Sequence, residues 1–297
     1  MWLLIPILVV LPLIFFVGLA FYVVYPKRHT LESSRASEDK FGSIRDFDTF
    51  PSTHYTIQSY DGYELSAQFI PASEPSDHYV ILSHGYSYTR YGSVKYVHQF
   101  RRLNYHCIIY DNRGHGKNVR TYCTLGARES KDLLAVIEDT YRRHGDNIYL
   151  GLHGESMGAG LQITALKYRP QVKFIVNDCG YADLPDLLCY KGKKEFHLPA
   201  WPVYGASFFS RLLFGFAFTS VRPIECLAQN TSIPICFVHG TADDFVPMAH
   251  SERMYDAATC YRELHLFEGA GHARCLVTDP ERYFSMLSEF LKKIETH

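Results

Sequence analysis

The sequence predicts an α/β fold, a mostly parallel central sheet with helices on both faces, carrying a helical cap insertion and preceded by one apolar helix. Three observations predict it. Short continuous apolar runs recur at residues 79–82, 107–110, 148–150, 174–176 and 235–238, the pattern of parallel strands whose two faces are both covered by helices. Helical patterns separate these runs, the clearest over 127–143, with Leu133, Leu134, Val136 and Ile137 on one side. Ahead of the first run, residues 55–59 and 63–70 alternate around Asp61-Gly62, which reads as a β-hairpin. A hairpin followed by strand–helix alternation implies right-handed crossovers in one sheet.

In chain order the first element is apolar throughout. Lys27 is the first charged residue, and the preceding run is long enough to cross a hydrocarbon core of ~30 Å as a helix. Membrane helices tolerate prolines such as Pro6 and Pro12, and Trp2 and Tyr25 stand at the two ends, where interfacial aromatics belong. Residues 1–26 are therefore expected to be a single transmembrane anchor that contributes nothing to catalysis. Lys27, Arg28, Arg35 and Lys40 follow the run and no Lys or Arg precedes it, which places the body of a membrane protein on the cytoplasmic side. A polar tether is expected over 27–47, and a catalytic domain over 48–297, with its cap at about 181–229.

Composition excludes several classes. The 297 residues carry a formal net charge of -1, without the basic excess of a nucleic-acid binder. With 20 Phe and 22 Tyr there is ample apolar surface to bury, so disorder is excluded as the main state. Eight cysteines are too sparse for a disulfide scaffold, and no CxxC pair marks a zinc ribbon or redox motif.

The chemistry-bearing motifs sit where strands end. The run at 148–152 leads into Gly154-Glu155-Ser156-Met157-Gly158 and then into a helical pattern. This is GxSxG between strand and helix, a turn that lifts the serine hydroxyl clear while glycines let neighbouring backbone pass close. A serine is a poor nucleophile unless a histidine takes its proton and a carboxylate orients that histidine. Two later strand ends offer these partners, Asp243 after the 235–238 run and His272 in Gly269-Ala270-Gly271-His272. Asp244 competes with Asp243 for the acid role. An oxyanion hole needs two backbone N–H groups, expected from Met157 and from Tyr86 in Ser83-His84-Gly85-Tyr86. His153, Asp111 and Arg113 are expected to be structural.

From about Tyr55 onward the chain resembles the α/β-hydrolase superfamily, in the branch of serine aminopeptidase-like and monoacylglycerol lipase-like enzymes. The resemblance rests on His84-Gly85-Tyr86, Asp111-Asn112-Arg113-Gly114-His115-Gly116, the serine turn, His239-Gly240 through Asp243 to Val246-Pro247, and Gly271-His272. Within that branch the likeness is to bacterial membrane-anchored hydrolases of unassigned substrate, which share segments like Asn177-Asp178-Cys179-Gly180-Tyr181. Asn118 departs from the serine usual in the superfamily, in a loop that is structural there.

The resemblance implies a cap where the long 181–229 insertion lies. Its aromatic density predicts that Trp201, Phe208, Phe209 and Phe214 wall an apolar acyl pocket above Ser156. The expected function is a serine hydrolase of small-molecule carboxylic esters, acting through Ser156, His272 and Asp243 and an acyl-enzyme intermediate. A serine peptidase is the alternative, needing a carboxylate pair for a free amine, for which the cap offers Asp183, Asp186, Glu195 and Glu225. A non-catalytic membrane-tethered scaffold is the third reading, and it has no use for all three reactive residues. No metal, cofactor or nucleic acid is implied.

Overall fold

A computed structural model describes residues 4–296, with side chains from Val10 onward. Eight strands form one sheet, β1 (Thr53–Gln58), β2 (Glu64–Ile70), β3 (His78–Ser83), β4 (His106–Tyr110), β5 (Tyr149–Glu155), β6 (Ile175–Asp178), β7 (Ile235–Gly240) and β8 (Arg262–Phe267). Their order in the sheet is β1-β2-β4-β3-β5-β6-β7-β8. The expected hairpin pairs Ile57 with Leu65 and Gln58 with Glu64, and β2 then runs antiparallel to β4. All pairings from β4 across to β8 are parallel.

The period of two along a strand sorts side chains onto two cores. Tyr79, Ile81, Leu150, Leu152, Ile235 and Phe237 face one side, packed with α4 (Glu129–His144), α5 (Met157–Ala165), α8 (Pro223–Leu227) and α9 (Ala249–Ala257). Val80, Leu82, Val176, Cys236 and Val238 face the other, under α3 (Val94–Arg102), α10 (Cys275–Thr278) and α11 (Pro280–Glu295). Between β6 and β7 the cap contributes α6 (Leu184–Phe196) and α7 (Trp201–Phe214).

The N-terminal segment departs from expectation. Residues Leu4–Val24 form helix α1, but among the described residues no helix is long and apolar enough to cross a membrane. That finding overturns the expected single-pass anchor of residues 1–26, the membrane localisation and the sidedness deduced from it. Trp2 lies outside the described residues. The apolar side chains of α1 have another use, because its later turns pack on the body of the fold. The Phe16 ring lies 5.7 Å from Trp201 and 6.1 Å from Phe209, and Phe21 lies 5.1 Å from Phe214. Ala20 and Val24 have no exposed surface and share a core with Met157, Leu184, Ala206 and Phe218. The Tyr86 hydroxyl donates to the Val23 carbonyl at 2.6 Å, and the Cys123 N–H to the Val24 carbonyl at 2.8 Å.

Residues 27–47, expected as a tether, also lie on the body. They carry α2 (Leu31–Asp39), started by the Thr30 side chain accepting from the Ser33 N–H. Ser34 and Glu38 on this helix are buried, and Ile44 and Phe47 join the core beneath α3 and α11.

Candidate active site

Ser156 sits at the mouth of the turn between β5 and α5, with φ 55 and ψ -114, a left-handed conformation that a β-carbon disfavours. The surroundings enforce it. The Ser156 N–H donates to the Asp178 carbonyl at 2.8 Å, and a Cβ at Gly158 would collide with the Ser83 carbonyl, as one at Gly154 would with the Gly158 carbonyl. Both glycines of the motif are thus required by close backbone approach, and the hydroxyl is thrown forward, off the strand.

His272 follows β8 and reaches that hydroxyl, its Nε2 2.9 Å from Ser156 Oγ. Its Nδ1 lies 2.7 Å from Asp243 Oδ2. The other Asp243 oxygen accepts from the N–H groups of Phe245 and Val246, both at 2.9 Å. Burial would raise the Asp243 carboxyl. Hydrogen bonds from His239 and His272, with the Val246 N–H, hold it well below the usual carboxylate range. The Phe245 ring stacks on the His272 imidazole at 4.8 Å. Asp244, the competitor for the acid role, points outward and pairs with Lys194 at 2.8 Å, which leaves Asp243 alone beside the histidine.

The sequence reading missed His239, a buried residue whose Nε2 lies 2.9 Å from the Val246 carbonyl and 3.2 Å from Asp243 Oδ2. That ring nitrogen therefore carries the proton and braces the carboxylate. Its position four residues before Asp243 in His239-Gly240-Thr241-Ala242-Asp243 is the local signal that could have found it.

The expected oxyanion donors adjoin the serine. Met157 opens α5, so its N–H has no partner within the helix. Gly85, the residue before Tyr86, passes close enough that a Cβ on it would stand 3.5 Å from Ser156 Cβ. Among the described residues the Tyr86 N–H donates to no backbone acceptor in turns or loops.

Ser156 and His272 open on a cavity of about 940 Å³. Its apolar wall is built by Leu184, Leu187, Val203, Ala206 and Phe218 from the cap region, and by Leu19, Tyr22 and Val23 from α1. The expected pocket residues Trp201, Phe208, Phe209 and Phe214 do not line it, which corrects that reading. Trp201 and Phe208 are 60% and 61% exposed, Phe209 stacks on Phe16, and Phe214 packs among Phe21, Tyr25 and Tyr122. Helix α7 is apolar on more than one face, and the face that turns inward carries its smaller side chains. Nor is α1 a bystander to the site, contrary to expectation.

At the polar end of the same cavity lie Glu38, Lys95, Glu155 and Arg274. Burial pushes the Glu38 carboxyl up to about 7, against the opposing pull of Lys95. Beneath them Asp178, raised by burial to about 6, meets the hydroxyls of Tyr96 at 3.1 Å and Tyr283 at 2.9 Å. His153 is structural, as expected, its Nε2 2.8 Å from the Tyr283 hydroxyl. Arg113 bridges Asp61 and Asp132, Asp111 holds Arg90, and Asn118 caps this scaffold by donating to the Asp111 carbonyl at 2.7 Å.

Cys179, Asp243 and His272 bring ligand-type atoms within 4.8 Å of one another. Two of them are already bonded to each other, and burial raises the Cys179 thiol, so it keeps its proton. The grouping is poorly suited to a cation, whose ligands must be deprotonated.

The fold and this site define a serine hydrolase. Residues 74–180 match the family described as serine aminopeptidase, S33. The protein YqkD of Bacillus subtilis (strain 168) is 28% identical over 285 residues, covering 93% of this chain and 92% of its own. Among solved structures, the Pyrococcus furiosus esterase Pf2001 superposes with a TM-score of 0.68 at 25% identity, over 84% of this chain and 93% of its own. Est1E from Butyrivibrio proteoclasticus, solved with ferulic acid bound, does so with a TM-score of 0.67 at 18% identity, over 82% and 100%. The chain shares the α/β-hydrolase fold with these structures.

Proposed function

We propose that the enzyme hydrolyses carboxylic esters through Ser156, His272 and Asp243. Ser156 Oγ attacks the ester carbonyl carbon while His272 Nε2 takes its proton. Asp243 keeps the imidazole in the tautomer whose Nε2 is free to accept, and supports the imidazolium that forms. The tetrahedral oxyanion receives the N–H groups of Met157 and Tyr86. Collapse breaks the bond to the leaving oxygen, which takes the proton back from His272. Water then repeats the sequence on the acyl-enzyme, releasing the acid and restoring the Ser156 hydroxyl.

The observation that carries this reading is the Ser156–His272 contact of 2.9 Å opening on a cavity with an apolar wall. The acyl chain lies against Leu19, Val23, Leu184, Leu187, Val203 and Phe218. An ester is favoured over a peptide with a free amine, because the candidate amine-binding acids already have cationic partners. Asp183 pairs with Arg222 at 2.5 Å and Asp186 with Arg253 at 2.8 Å. Glu195 pairs with Lys191 and Glu225 with Arg222. The esterase Pf2001 and the ferulate-bound Est1E, on the same fold, support an ester substrate.

The test is fluorophosphonate labelling followed by p-nitrophenyl esters of rising chain length. Ser156→Ala is expected to abolish labelling and to lower kcat on the order of a millionfold. Each methylene buried in the pocket contributes about 0.8 kcal/mol, so kcat/KM should rise about fourfold per carbon over the first few carbons. Acetate esters and aminoacyl anilides both outrunning the medium chains would reject the acyl pocket.

A further inference from the structure

Ser156 and His272 are delivered by different strands. Ser156 follows β5 and His272 follows β8, with β6 and β7 between them in the sheet. No strand pairing joins the two loops directly, yet their side chains must meet at hydrogen-bond length for proton transfer.

Lys95 joins them. It projects from α3, is 8% exposed, and its Nζ lies 2.6 Å from Glu155 Oε2, on the residue before Ser156. The same ammonium donates at 3.0 Å to the carbonyl of Ala273, the residue after His272. Ala273 has φ 59, a left-handed conformation that a β-carbon disfavours and that persists only where the surroundings impose it. The neighbouring Tyr96 hydroxyl donates to the same oxygen, Glu155 Oε2, at 2.7 Å. Burial pulls the Lys95 ammonium down, but Glu155 and Glu38 outweigh it and hold it above its ordinary value.

We propose that Lys95 is a positioning residue, whose ammonium ties the turn bearing Ser156 to the loop bearing His272 and so sets the distance between them. The proposal rests on the reading of Ser156 and His272 as nucleophile and base. A lysine suits the task because its three N–H donors serve a carboxylate and a carbonyl together. With the tie cut, the loop at Ala273 is free to relax its strained peptide and carry His272 away from Ser156.

Lys95→Met alone leaves Glu155 buried and unpaired, and such a variant can fail to fold. The decisive comparison is therefore Glu155→Gln against the double variant Lys95→Met/Glu155→Gln, in which the Glu155 carboxylate is not left without its cation and the ammonium that reaches Ala273 is removed. The double variant, which lacks the ammonium itself, should lose on the order of 10- to 100-fold in kcat relative to Glu155→Gln, the scale of a misplacement near 1 Å, with KM within threefold. Its rate of fluorophosphonate labelling should fall in parallel. A double variant with kcat within threefold of Glu155→Gln, or one whose loss lies wholly in KM, overturns the tie. Wild-type protein that takes up no fluorophosphonate at Ser156 would instead remove the nucleophile reading, and the tie with it, a failure visible before any variant is compared.

Discussion

Removing residues 1–25 should damage both the stability and the specificity of this enzyme, although the composition of that segment suggests a dispensable anchor. The truncation takes away the Val23 carbonyl that accepts from the Tyr86 hydroxyl and the Val24 carbonyl that accepts from the Cys123 N–H. A donor left buried without a partner costs about 1–3 kcal/mol. Ala20, Val23 and Val24 also leave the core they share with Met157 and Phe218, and a fully buried valine contributes roughly 1.5–3 kcal/mol. A loss of even about 3 kcal/mol lowers the melting midpoint of a domain this size by roughly 6–12 °C. The cavity loses Leu19, Tyr22 and Val23 at the same time, so the preference for medium acyl chains should flatten towards acetate. Differential scanning fluorimetry and the ester panel measure the two effects separately. In the full-length chain, Val24→Asp places an unpaired charge at a position with no exposed surface and should reproduce the loss of stability. A truncated enzyme with its midpoint within 2 °C of wild type and an unchanged chain-length profile, by the scale used above, would refute the role given to α1.

Two further outcomes follow from charge. Asp243→Asn should lower kcat by on the order of 10⁴-fold by favouring the wrong imidazole tautomer, whereas Asp244→Asn, on a surface pair with Lys194, should stay near wild type; ester kinetics with the reverse ranking would reassign the acid. Glu38 has a folded-state carboxyl raised to about 7 from 4.5, so between those values the native state binds the extra proton and stability falls as pH rises. Glu38→Gln should therefore match wild type below about pH 4 and exceed it at pH 8 by up to about 3 kcal/mol in urea melts; a variant no more stable than wild type at pH 8 would show that Glu38 is not held in its protonated form.

The elements legible in the sequence were those whose signal is local. The Asp61-Gly62 hairpin, the buried strands and the glycines around Ser156 each answer to a short-range constraint of backbone geometry or side-chain period. The residues Ser156, Asp243 and His272 were legible because each follows a strand end, and parallel strands deliver all such ends to one edge of the sheet. His239 and Lys95 were not legible. One reads as a loop histidine, and the other as one more lysine on a helix with two basic residues in its last turn.

The strand runs, the hairpin and the serine turn were encoded in stretches of a few residues, because backbone sterics and the period of a strand act over that range. The destination of α1, the cap face that meets the cavity and the bridge from Glu155 through Lys95 to Ala273 were decided only in three dimensions. Hydrophobicity states that a side chain avoids water without naming the surface that replaces it. An apolar run does not name the surface it will cover, and here the later turns of α1 found Ala206, Phe214 and Phe218. Helix α7 carries aromatics on more than one face, so periodicity could not say that Val203 and Ala206 would turn inward while Trp201 and Phe208 stayed outside. Contacts such as Lys95 to Ala273 join residues 178 positions apart, and only the folded chain brings them together.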